Sequence, residues 1–190
     1  MVGKYKVITL CGSTRFKEDF LEVQKKLTLE GNIVISVGLF GHSGDQEVWE
    51  NMDEGTITKT KEMLDDMHKR KIDMSDEIYV INKGGYIGSS TKSEIEYAIK
   101  TNKKVRYMEK LICQSCGMPM EDSAVLGTNA DGSKNLDYCK YCYEKGQFID
   151  KVDMNTYIDM CSQYGAQAGM TNEQMKEYCE KLFPTLKRWK

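Results

Sequence analysis

Two cysteine pairs constrain this 190-residue chain more than any other feature: Cys113-x2-Cys116, answered after 22 intervening residues by Cys139-x2-Cys142. Paired thiolates at this spacing, with turn formers Gly117, Gly127 and Asn129-Ala130-Asp131-Gly132 between them, predict a four-cysteine zinc ribbon. Soft thiolates in tetrahedral geometry suit Zn²⁺, and four protein ligands leave no open position, so the expected metal is structural. A redox role does not fit, because neither pair opens a helix after a strand.

Seven cysteines in a secreted chain would suggest disulfides. Here the start Met1-Val2-Gly3-Lys4-Tyr5 has no apolar leader, and no stretch approaches the roughly 18 apolar residues of a membrane span. The expectation is a reducing, cytoplasmic home without membrane association. Residues 1–110 carry 18 Lys/Arg against 18 Asp/Glu, and 111–190 carry 9 against 11. This balance gives no basic field for nucleic acid, and a nucleic-acid or protein partner would have to be met through the ribbon.

Residues 1–110 alternate apolar runs with amphipathic stretches. Val7–Leu10, Ile33–Val37, Glu77–Ile81 and Lys104–Met108 read as strands. Phe16, Phe20, Val23 and Leu27 mark one helix, and further helices are expected at about 56–71 and 91–101. Residues 38–55, with four glycines, read as a long loop able to act as a lid. The alternation predicts an α/β fold: a Rossmann-like parallel sheet with helices on both faces, followed by the four-cysteine zinc ribbon and C-terminal helices.

Ligands of such sheets bind beyond the carboxyl ends of the strands, where two Gly/Ser-rich loops fall. Gly12-Ser13-Thr14-Arg15 is neither a dinucleotide fingerprint nor a Walker loop, and read plainly it is a strand-to-helix turn. Its hydroxyls, Arg15 and helix-terminal N–H groups nevertheless suit phosphate, as do Gly88, Ser89, Ser90 and Thr91. Thr91-x-x-Glu94 matches a capping box; the same glutamate, ionised by a helix terminus, is a candidate nucleophile. His68 lies on a polar helix face and reads as a surface residue, and Asp73 and Asp76 as turn residues, one of which could face the crevice. Cys11, in the first loop, is a candidate reactive thiol, whereas Cys161 and Cys179 read as small buried apolar residues.

Cys11-Gly12-Ser13-Thr14-Arg15 and Gly88-Ser89-Ser90-Thr91-Lys92-Ser93-Glu94-Ile95-Glu96-Tyr97-Ala98 resemble the nucleoside 2-deoxyribosyltransferase superfamily over about residues 5–108. The closer likeness is to its nucleoside 5′-monophosphate N-glycosidases. The resemblance implies that Glu94 attacks the anomeric carbon, that Ser13, Arg15 and Ser89 hold a 5′-phosphate, and that His68 or Asp73 serves the leaving base. Tyr86 and the 38–55 loop would cover that base. Two departures stand out: Glu96 replaces the glycine of the family's Glu-x-Gly-x-Ala segment, and Gly88 replaces the transferases' second aspartate, which favours hydrolysis over exchange. A homo-oligomer, at least a dimer, acting on a nucleotide-like small molecule is also implied.

Residues 111–190 resemble a bacterial zinc-ribbon family through Gly117-Met118-Pro119-Met120, the Tyr-rich second cysteine pair and the ending Leu182-Phe183-Pro184-Thr185-Leu186-Lys187-Arg188-Trp189. Thr171-Asn172-Glu173-Gln174 is a capping box before a helix that Pro184 stops. The expected domains are 1–110, the α/β domain; 111–150, the ribbon; and 151–190, helices packed on it. The leading functional expectation is hydrolysis of a nucleotide's base–sugar bond. Its rival is a non-catalytic nucleotide- or nucleic-acid-binding regulatory module with a partner-binding ribbon.

Overall fold

A computed structural model describes residues 3–190, which form two compact units, one ending at Glu109 and one beginning at Lys110. In the first unit the strands are β1 (Val7–Gly12), β2 (Ile33–Ile35), β3 (Glu77–Ile81) and β4 (Lys104–Tyr107). They form one parallel sheet in the order β2-β1-β3-β4. The connecting helices are α1 (Lys17–Leu29), α2 (Glu54–Asp73) and α3 (Ser89–Lys100). Right-handed crossovers in this strand order put α1 on one face and α2 and α3 on the other.

Strand alternation sorts the core accordingly. Ile8, Leu10, Tyr79 and Ile81 pack with Phe20, Val23 and Leu27 of α1. The intervening residues Thr9 and Cys11 point to the α2 side, where the Thr9 hydroxyl donates to the Lys71 carbonyl. Central strands β1 and β3 are therefore buried on both faces. At the amino end of the sheet, the buried carboxylate of Glu77 accepts from Lys6 and Arg106, at 2.8 and 2.9 Å.

Against expectation, β1 runs on to Gly12, β2 stops at Ile35 short of Val37, and two helix starts move. α2 starts earlier because Asp53 caps it, accepting from the Thr56 N–H. α3 starts at Ser89, two residues before Thr91, with Gly88 as N-cap. The Thr91–Glu94 capping box therefore does not form, and Glu94 sits in the second turn. In the 38–55 segment a short 3₁₀ turn, Gln46–Trp49, interrupts the loop.

The second unit holds two small antiparallel ladders, β5 (Leu126–Thr128) with β6 (Lys134–Cys139), and β7 (Tyr143–Glu144) with β8 (Gln147–Phe148). Helices α4 (Met154–Ser162) and α5 (Asn172–Leu182) follow, and α5 carries the expected capping box of Thr171 and Gln174. The terminal segment returns to the first cysteine pair. There Arg188 donates to the Ser115 hydroxyl at 2.8 Å, and the Trp189 indole N–H to the Ser115 carbonyl at 2.8 Å. No described helix is long and apolar enough to cross a membrane.

Candidate functional site

Because β1 leads outward to β2 and β3 leads the other way to β4, the chain diverges beyond their carboxyl ends and leaves a crevice. The turn after β1 is closed by the Phe16 N–H donating to the Ser13 carbonyl at 3.0 Å. The loop after β3 is braced from β4's end. Asn82 exchanges two hydrogen bonds with the Glu109 backbone, and the Glu109 carboxylate accepts from the N–H groups of Gly84 and Gly85. Both glycines have positive φ (61° and 73°), which aims their amides at one acceptor and would strain any side-chain-bearing residue. The loop delivers Tyr86, whose ring lies 4.3 Å beneath the Arg15 guanidinium carbon and whose hydroxyl accepts from Arg15 at 3.2 Å.

α2, α4 and α5 have N-termini capped by Asp53, Asp153 and Thr171. α3 has none, since Gly88 offers no side chain, and its first-turn N–H groups remain free for an anion. The Thr14 hydroxyl meets His42 Nδ1 at 2.6 Å and the Ser43 hydroxyl donates to the Thr14 carbonyl. These contacts pin the 38–55 segment beside the first turn.

The resulting cavity measures about 480 Å³, a size typical of small-molecule sites. Gly12, Ser13, Arg15, Tyr86, Gly88, Ser89 and Ser90 all line it. So do Trp49, Leu39 and His42 of the loop, and Lys61, Asp65, His68 and Lys71 of α2. Apart from His68, sequence reasoning missed these last residues. The spacing 61, 65, 68, 71 on one helical face was the signal available. Asp73 is not brought to the cavity: it ends α2 near the amino end of β3, accepting from the Tyr97 hydroxyl at 2.7 Å, with Arg70 3.6 Å away.

His68 is not a surface residue. It is only 6% exposed, reached by Cys11 Sγ at 3.5 Å and Glu94 Oε1 at 3.8 Å, both toward Nε2. Burial, with Lys71 nearby, pushes the imidazole down to about 4 and keeps it neutral. The Glu94 side chain is 13% exposed and lies outside the cavity wall. Burial pushes its carboxyl up to about 8; a hydrogen bond from Cys11 opposes this and Asp65 adds to it. The expected ionisation by the helix terminus is thus overturned, because that field fades within the first turn while desolvation dominates in the second. Burial, aided by Glu94, likewise raises the Cys11 thiol.

In the second unit the sulfurs of Cys113, Cys116, Cys139 and Cys142 all lie within 4.8 Å of one another. Zn–S bonds of about 2.3 Å in a tetrahedron place sulfurs about 3.8 Å apart. The observed separations of 3.9 Å (Cys116–Cys139) and 3.4 Å (Cys139–Cys142) match that geometry. Each pair turns tightly, with the Gly117 N–H donating to the Cys113 carbonyl and the Cys142 N–H to the Cys139 carbonyl. Around the sulfurs, the Cys139 N–H donates to Cys113 Sγ at 3.3 Å and the Tyr157 hydroxyl lies 3.1 Å from Cys142 Sγ. The four residues form a closed tetrathiolate site of the structural zinc type.

Comparison with known proteins agrees with that site and leaves the first unit unassigned. No curated protein and no solved structure matches the chain. Residues 112–190 match the family model described as "Putative zinc ribbon domain". The chain thus joins a parallel α/β unit to a C-terminal zinc-ribbon domain.

Proposed function

We propose that the α/β unit is a binding module for a nucleoside 5′-phosphate, joined to a ribbon that serves a partner. One observation carries this reading: a single cavity at the strand divergence brings together the uncapped start of α3, the Ser13 and Ser89–Ser90 hydroxyls and Arg15, with aromatic Trp49 and Tyr86 in the same walls. The polar groups suit a phosphate, and the aromatic faces suit a base. Isothermal titration with nucleoside 5′-monophosphates, the matching nucleosides and inorganic phosphate tests it. Monophosphates should bind at least tenfold tighter than nucleosides. Arg15→Ala should erase that margin, since a charge-assisted hydrogen bond contributes about 1.5–3 kcal/mol. Equal affinity for monophosphate and nucleoside refutes the phosphate assignment.

A second reading, N-glycosidase action, is favoured by Glu94 beside the cavity-lining His68. It requires Glu94 ionised and in reach of C1′, whereas burial keeps the carboxyl protonated at neutral pH. Free base released from a monophosphate by the native protein, and not by Glu94→Gln, would establish this activity. No release by either protein leaves binding without turnover.

A further inference from the structure

We propose that Cys11, His68 and Glu94 form a second metal site, for a zinc-class divalent ion, buried behind the His68 wall of the α/β cavity. The three side chains come from three elements: the penultimate residue of β1 on its α2-facing side, the inner face of α2, and the second turn of α3. Their ligand atoms lie within 4.8 Å of one another.

Hydrogen bonding alone does not account for the arrangement. Cys11 Sγ and Glu94 Oε1 both approach the same ring nitrogen, Nε2, which carries at most one hydrogen. A nucleophile–imidazole–carboxylate relay would place its two partners on opposite nitrogens. Glu94 Oε2 is, among the described residues, the buried side-chain oxygen or nitrogen left with no hydrogen-bond partner. A cation between the three groups accounts for both facts at once.

The distances fit. With bonds of about 2.3 Å to sulfur and about 2.05 Å to nitrogen, a tetrahedral zinc separates these atoms by about 3.6 Å. Cys11 Sγ and His68 Nε2 are 3.5 Å apart. Binding releases both the Cys11 thiol proton and the Glu94 carboxyl proton to solvent. Thiolate, carboxylate and neutral imidazole then balance a dication, so the buried site has no net charge. Three protein ligands leave a fourth position for water or an atom of the occupant, and His68 borders the cavity. Glu94 would then be a ligand and not a nucleophile. This site stands independently of whether a nucleotide binds.

The test is metal stoichiometry on the full, tag-free chain, stripped and reloaded with Zn²⁺ or Co²⁺. The native protein should hold two equivalents. Cys11→Ala and His68→Ala should hold one, with the tetrathiolate cobalt spectrum retained. X-ray absorption of the zinc-loaded native protein should find nitrogen or oxygen ligands beside sulfur; this measurement stands even if a variant misfolds. One equivalent in the native protein, an all-sulfur shell, or two equivalents in both folded variants overturns the assignment.

Discussion

The Tyr157 hydroxyl offers the sharpest quantitative test of how the helical tail supports the ribbon metal. It lies 3.1 Å from Cys142 Sγ, and both residues are buried, so no water can replace it. A tetrathiolate zinc centre carries two net negative charges, which makes each donor to sulfur a charge-assisted bond. Such bonds contribute about 1.5–3 kcal/mol, equivalent to about 10–150-fold in an equilibrium constant. Outer-shell partners of metal ligands typically change affinity by about 10–100-fold. Tyr157→Phe removes only the hydroxyl. The ring keeps its neighbours Trp189, at 5.2 Å between centroids, and Phe183, at 5.9 Å. Packing should therefore survive while metal affinity falls by one to two orders of magnitude. Zinc displacement of cobalt, followed through the thiolate-to-cobalt charge-transfer band against a competing chelator, reads this affinity. Tyr178→Phe, at an exposed ring of α5, is the control and should change nothing. A Tyr157→Phe affinity within twofold of the native protein would refute the coupling.

Two further outcomes concern the α/β unit. Phe20 is fully buried, packs edge-on against Phe40 at 5.5 Å, and stands behind Gly12. Phe20→Ala should cost about 3–5 kcal/mol in urea denaturation, and a loss below about 1 kcal/mol would contradict its place in the core. For Glu77, burial pushes the carboxyl upward, but hydrogen bonds from Lys6 and Arg106 outweigh it and leave it below the ordinary value. A folded-state pKa below the unfolded one adds stability that is complete above the unfolded value and lost as pH falls through the folded one. Glu77→Gln should therefore flatten the acid limb of the stability profile; an unchanged limb would dismiss this carboxylate as its source.

The alternation of strands and helices was legible because β1 and β3 are apolar runs buried on both faces, and α1 shows a clean stripe at 20, 23 and 27. The cysteine spacing announced the ribbon outright. α2 hid its inner face, because Lys61, Asp65, His68 and Lys71 turn polar groups toward a cavity where a core helix would place leucines. His68 consequently read as a surface group. Glu94 misled for another reason: the motif Thr91-x-x-Glu94 fits a cap, but the helix begins at Ser89, behind the side-chain-free N-cap Gly88, three residues before Thr91. That shift carries the carboxyl inward by most of a turn, and burial then sets its protonation. Neither effect is visible without the third dimension.

The latch of Arg188 and Trp189 onto Ser115 has a consequence for the order of biosynthesis. Ser115 stands between the first two ligands, whereas its partners are translated long after Cys142. At about 5–20 residues per second, the four thiols leave the ribosome on the order of a few seconds before the segment that fastens them. The four thiols are thus open to metal and to oxidants before their latch exists.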